Sequence, residues 1–119
     1  RPAPGCTSHD GGYTWNRELF PDPEAFAGLL HSNSNPVGRP LRLALNVHPQ
    51  YGVDHCQAQY TNFSRALGRD PQLNETIPCR LGHPALAAAF FDTVIRSPQL
   101  LDVDIWWTDC GGCGGPCTG

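Results

Sequence analysis

Two stretches of this chain alternate apolar and polar side chains with a period of two, and the distance between them decides what it can fold into. In the first, Leu41, Leu43, Leu45 and Val47 interleave with Arg42, Ala44 and Asn46, and Pro49 stops the pattern just after His48. In the second, Asp102-Val103-Asp104-Ile105-Trp106-Trp107-Thr108-Asp109, the residues Val103, Ile105, Trp107 and Asp109 share one face. About fifty residues separate the two stretches. That is too long for a hairpin and suits two parallel strands joined by a crossover.

Helical patterns fill the rest of the frame. Asp22 as N-cap, Pro23 at the first helical position and Glu24 in the first turn predict a short helix over residues 23 to 31, with Phe26, Leu29 and Leu30 on one face. The turn-rich stretch from His31 to Pro40 reads as a surface loop, as do residues 1 to 14. Between the strands, Tyr60, Phe63 and Leu67 predict a second helix from about Asp54 to Leu67, with Gly68 as its stop. Pro84 opens a third, whose Leu86, Phe90 and Val94 repeat every fourth residue, with Phe91 and Ile95 beside them, until Pro98. The class is therefore α/β with a parallel sheet. Both strands end in polar side chains, His48 and Asp109, at the carboxyl edge where α/β enzymes assemble their sites.

With 119 residues the chain makes one modest domain, and its 13 Gly and 12 Pro leave few core-forming side chains. It has no Met and stops inside a glycine-cysteine run, which leads us to expect a fragment of something larger. The net charge of -3 is spread along the chain and no basic cluster interleaves with aromatics, so nucleic acid is not expected as a partner. No apolar run approaches the ~20 residues that cross a bilayer, so no membrane is expected either. Residues 1 to 5 carry no signal-peptide core, and the localisation stays open.

Of the six cysteines, Cys6, Cys56 and Cys79 are isolated, and Cys110, Cys113 and Cys117 cluster as C-x2-C-x3-C in a Gly/Cys-rich tail, residues 110–119. A zinc site needs four well-placed ligands, and His83 lies at no recognised spacing. Unpaired or locally paired thiols are expected, with no metal and no cofactor. Two triplets, Asn62-Phe63-Ser64 and Asn74-Glu75-Thr76, match the N-glycosylation acceptor pattern and fit a secretory compartment, although Asn62 falls within a predicted helix.

Several strings are specific when taken together: Gly12-Tyr13-Thr14-Trp15-Asn16-Arg17-Glu18-Leu19-Phe20-Pro21-Asp22-Pro23-Glu24, Leu45-Asn46-Val47-His48-Pro49 with Gly52-Val53, Ile77-Pro78, and Val103-Asp104-Ile105-Trp106-Trp107-Thr108-Asp109. In that order the chain resembles the family 31 glycoside hydrolases of the α-glucosidase type, whose members carry GYTWNRELFPDPE, LNLHP and DFWWIDWQQG. The likeness runs from about residue 12 to residue 109. It implies a (β/α)8 TIM barrel, of which residues 1–119 would be a partial slice holding about two parallel strands and their connecting helices, since a whole barrel takes ~250 residues.

The resemblance implies a retaining glycosidase acting on a carbohydrate substrate, an α-glycoside. In that mechanism one carboxylate attacks the anomeric carbon and a second carboxylic acid protonates the leaving oxygen from ~5 Å away. By the match to WWIDWQQG, Asp109 is the nucleophile. Trp107 and His48 match positions that line the pocket around the nonreducing sugar. The family's acid/base aspartate is expected beyond Gly119, and the aspartate that holds the sugar's hydroxyls upstream of Arg1, so the chain alone is expected to be inactive. After Asp109, where the family reads W-Q-Q-G, this chain reads Cys110-Gly111-Gly112-Cys113, and the family's IPFD becomes Ile77-Pro78-Cys79-Arg80.

Plainer readings stand beside these. Asp109 as a residue closing a strand also fits a turn or a helix cap, and His48 before a proline also fits a strand-end histidine with a satisfied hydrogen bond. Of Trp106 and Trp107, one should pack against helices and only the other can face a barrel mouth. Glu18, Asp22 and Glu24 are better read as loop and helix-start residues than as paired catalytic acids. The second functional class is a noncatalytic remnant or a cysteine-rich binding module.

Overall fold

The computed structural model describes residues 12–108. The first helix, α1, spans Pro23–His31. The Asp22 carboxylate accepts from the Ala25 backbone N–H at 2.8 Å, Pro23 occupies the first helical position, and the Ser32 N–H closes the last turn on the Leu29 carbonyl. The polar loop after α1 is built around buried Asn35. Its side-chain nitrogen lies 2.7 Å from the Ser32 and Arg39 carbonyls and 3.1 Å from that of Leu30, while its side-chain oxygen accepts from the Val37 N–H. One buried amide thus satisfies the backbone of a loop that has no ladder of its own.

Strand β1, Ala44–Val47, pairs in parallel with β2, Ile105–Thr108, in the register Ala44↔Ile105, Leu45↔Trp106, Asn46↔Trp107 and Val47↔Thr108. The expected parallel pairing is present, and the fold is mixed α/β with a two-stranded sheet among the described residues. Each strand is shorter than its alternating pattern. The reason is Asp104, whose carboxylate takes the Leu43 N–H while its own N–H and that of Ile105 both donate to the Leu43 carbonyl.

Helix α2 begins at Tyr60 rather than near Asp54 and runs to Ala66. Residues just before it are committed elsewhere. The Gln57 side-chain oxygen accepts from the Tyr13 N–H (2.8 Å) and the Thr14 hydroxyl (2.9 Å). The Gln59 amide donates to the Tyr13 carbonyl (2.7 Å) and the Ser97 hydroxyl (3.2 Å). These bonds tie the amino-terminal segment to the chain leading out of the third helix. Gly68, at φ +68°, ends the helical stretch as expected.

Helix α3, Pro84–Phe90, passes into a π turn over Phe91–Ile95, marked by an Arg96 N–H bond to the Phe91 carbonyl. Phe90 and Val94 stay on the buried side, whereas Phe91 is left exposed. The core joins Phe63, Phe90, Val94, Val53, Ile77 and Tyr13, with Leu45 and Trp106 of the sheet packed against it. The Tyr13 and Phe63 rings both meet Phe90 edge-on, at 5.5 and 6.2 Å. An antiparallel bridge, Val53↔Ile77, closes this core from the side. It requires Gly52 at φ +75°, because a Cβ there would lie 2.5 Å from the Ile77 carbonyl oxygen.

Candidate functional site

The parallel register sets the exits of the two strands level, since Val47 at the end of β1 faces Thr108 at the end of β2. The next residues in the sequence are His48 and Asp109. Asp109 itself lies outside the described residues, as do Cys6, Cys110, Cys113 and Cys117. His48 is half-buried and begins a single 3₁₀ turn, Pro49–Tyr51. The Gln50 amide nitrogen lies 3.2 Å from His48 Nδ1. An amide nitrogen only donates, so Nδ1 accepts and the proton of the neutral ring sits on Nε2. The imidazole stacks on the Tyr51 ring, with centroids 5.9 Å apart and planes at 23°. The Gln50 side-chain oxygen is buried and has no hydrogen-bond partner among the described residues. The Gln50 amide thus orients the imidazole, while its own oxygen is an unsatisfied buried acceptor closed to solvent.

The alternation of β1 and β2 sorts the two tryptophans. Trp106 pairs with Leu45 and turns to the core. Trp107 pairs with Asn46 on the other face and is 68% exposed, with exposed Ala44 and Ile105 alongside. An indole face next to a carboxamide offers an apolar surface and hydrogen-bonding groups together, which suits a sugar ring. Among the described residues, cavities open elsewhere. One of ≈ 190 Å³ separates Trp15 and Phe20 from Leu45 and Trp106, and one of ≈ 560 Å³ opens between the end of α2 and the start of α3, beside Arg69, Arg80 and His83. Neither is lined by His48 or Trp107.

A carboxylate with a displaced pKa often marks an active site, and Asp104 has one. The Leu43 backbone N–H, then the Arg42 guanidinium, then the His31 ring hold its carboxyl well below the usual carboxylate range. The bonds measure 2.8, 2.8 and 2.7 Å. A carboxylate can only accept, so His31 Nε2 carries the proton. Asp104 nevertheless sits at the amino edge of the sheet, away from the strand exits, and its partners are the end of α1 and the approach to β1. It is a latch between α1 and both strands.

Because folding lowers this pKa, the latch contributes its stability above the unfolded-state pKa and loses it as pH falls through the ordinary carboxylate range towards the folded value. Thermal melts from about pH 7 to about pH 3 should therefore show a falling Tm for the wild type and a flatter acid limb for Asp104→Asn, which should also melt lower at neutral pH. Parallel pH curves for the two proteins would show that the latch contributes nothing.

The cysteines depart from the sequence reading at one point. Cys56 is disulfide-bonded, and its nearest cysteine in the sequence, Cys79, is free, so the expectation of unpaired or locally paired thiols fails at Cys56. Burial pushes the Cys79 thiol up to about 12, which removes its nucleophilic form at neutral pH. Tyr13 lies beside it, its phenol likewise pushed up, first by burial and then by Cys79; the buried hydroxyl has no partner among the described residues. Among the described residues no three His, Cys, Asp or Glu side chains converge in a way that could hold a metal ion, and no helix is long and apolar enough to cross a membrane.

Of the residues expected at the site, His48 follows β1 and Trp107 lies on the exposed sheet face; Gln50, two residues from His48, was not named and could have been found by asking what satisfies the imidazole. Asp104 was not singled out either, and no local signal exists for it. The candidate site at the strand exits therefore combines an imidazole oriented by Gln50 and, on the adjoining sheet face, an exposed indole. No family model and no curated protein matches this chain.

Proposed function

We propose that this chain is a slice of the catalytic barrel of a retaining α-glycosidase, similar to the family 31 glycoside hydrolases, with Asp109 as the nucleophile and His48 and Trp107 lining the sugar pocket. The observation that supports this best is the parallel register of β1 and β2, which sets His48 one residue past a position paired with the residue before Asp109. A retaining site needs its attacking carboxylate at such an edge, with polar groups to hold the ring hydroxyls. The Asp109 carboxylate attacks the anomeric carbon, the glycosidic bond breaks, and a carboxylic acid that this chain does not match at any position protonates the departing oxygen. Water then cleaves the glycosyl ester. His48 Nε2–H donates to a ring hydroxyl, with Gln50 holding the imidazole by its Nδ1, while the Trp107 indole covers the apolar face of the sugar.

The test is a protein that carries this chain together with the remaining barrel strands, assayed on an aryl α-glycoside. Turnover is expected, and His48→Ala should raise KM by roughly 2- to 12-fold, the worth of one hydrogen bond, with a smaller change in kcat. No hydrolysis by such a protein would favour the noncatalytic remnant, a reading supported by the glycines that come after Asp109 in the sequence.

A further inference from the structure

The connection between α2 and α3 presents a modification site that the glycosidase reading does not use. Asp70 caps a 3₁₀ turn over Pro71–Leu73, its carboxylate accepting from the Gln72 N–H, and the chain then turns sharply at Asn74, which takes φ +53° and ψ +31°. Asn74 is the one non-glycine residue at positive φ among the described residues. Asn74, Glu75 and Thr76 are all exposed. The turn is fixed from behind, since the Tyr60 hydroxyl donates to the Glu75 carbonyl at 2.8 Å and Arg69 pairs with the Glu75 carboxylate at 2.9 Å.

We infer that Asn74 is an N-glycan acceptor. The triplet has the required hydroxyl residue two positions on, Glu75 rather than proline between, and threonine, the stronger acceptor partner, in place of serine. An asparagine in a left-handed turn holds its side chain clear of the ladder of any helix or strand, so a bulky sugar at Asn74 displaces no packed group. The competing triplet is built differently: Asn62 lies within α2, and the Ser64 hydroxyl is fully buried.

An independent observation points to the same compartment. A disulfide such as that of Cys56 is characteristic of oxidising compartments, among them the lumen in which such sugars are attached. In the transfer, the Asn74 side-chain nitrogen forms a bond to the anomeric carbon of an oligosaccharide carried on a lipid diphosphate. The carbon–oxygen bond to the diphosphate breaks, the lipid diphosphate leaves with the electron pair, and an amide proton passes to a base of the transferase.

The test is secretion of the full chain behind a cleavable leader from a eukaryotic cell, followed by peptide mass mapping after enzymatic removal of N-glycans, which leaves aspartate at each formerly glycosylated asparagine. Conversion at Asn74 is expected in the wild-type protein, with or without conversion at Asn62. It should disappear in Thr76→Ala and persist in Asn62→Gln. An Asn74 that stays unmodified in the secreted wild-type chain would overturn the inference, and because that readout needs no substitution, a folding defect in a variant cannot mimic it. The outcome is also independent of whether the chain takes part in glycoside hydrolysis.

Discussion

Phe63→Ala should destabilise the chain by about 3–5 kcal/mol, a large fraction of the roughly 5–15 kcal/mol that holds a domain together. Phe63 is 0% exposed and projects from α2 onto Phe90 of α3, and α2 also packs against the π turn beyond α3. Truncation removes apolar area from the centre of the one described core and leaves a cavity whose walls are ring edges with little freedom to collapse. Phe91→Ala is the matched control, for Phe91 is a neighbouring aromatic of the same size but 47% exposed, and because its ring still meets Phe90 edge-on its loss should cost about 1 kcal/mol, well below Phe63. Urea denaturation followed by aromatic circular dichroism reads both. Equal shifts for the two variants would mean that the α2–α3 contact is not what organises the core.

The parts of the fold that were legible are those whose causes are local. Asp22, Pro23 and Glu24 specify the start of α1 within three residues, and α1 spans Pro23–His31 as expected. The strand pair was legible because one long-range quantity, the separation between two alternating stretches, restricts the topology. The start of α2 was not, because Gln57 and Gln59 are held by Tyr13, Thr14 and Ser97, partners more than thirty-five residues away. The π turn was hidden for another reason: Phe90 and Val94 both stay buried across it, so the four-residue repeat gives no sign of the extra residue. The Val53↔Ile77 bridge is a single pair and has no period to read.

The site divides in the same way. His48 was legible from its place after a strand and before a proline, and the alternation of β2 left one of two tryptophans for the open face, which is Trp107. Asp104 was not, because its three partners, His31, Arg42 and Leu43, come from the other end of the chain and meet only once the sheet has formed. The disulfide at Cys56 was missed because isolated cysteines carry no pairing information in their spacing.

The largest effect expected on chemistry belongs to Asp109. In a protein that supplies the remaining strands, Asp109→Ala should lower kcat by at least about 10⁴-fold, because in the proposed mechanism Asp109 alone forms the covalent glycosyl ester while His48 and Trp107 only bind. His48→Ala should retain most of kcat, which separates the attacking group from a group that holds the sugar. The most direct measurement is covalent labelling of that protein with an α-glycosyl fluoride inactivator, followed by peptide mapping. The label should sit on the Asp109 carboxylate, be absent from Asp109→Ala and remain in His48→Ala; a label on another residue, or one that persists in Asp109→Ala, would contradict the account.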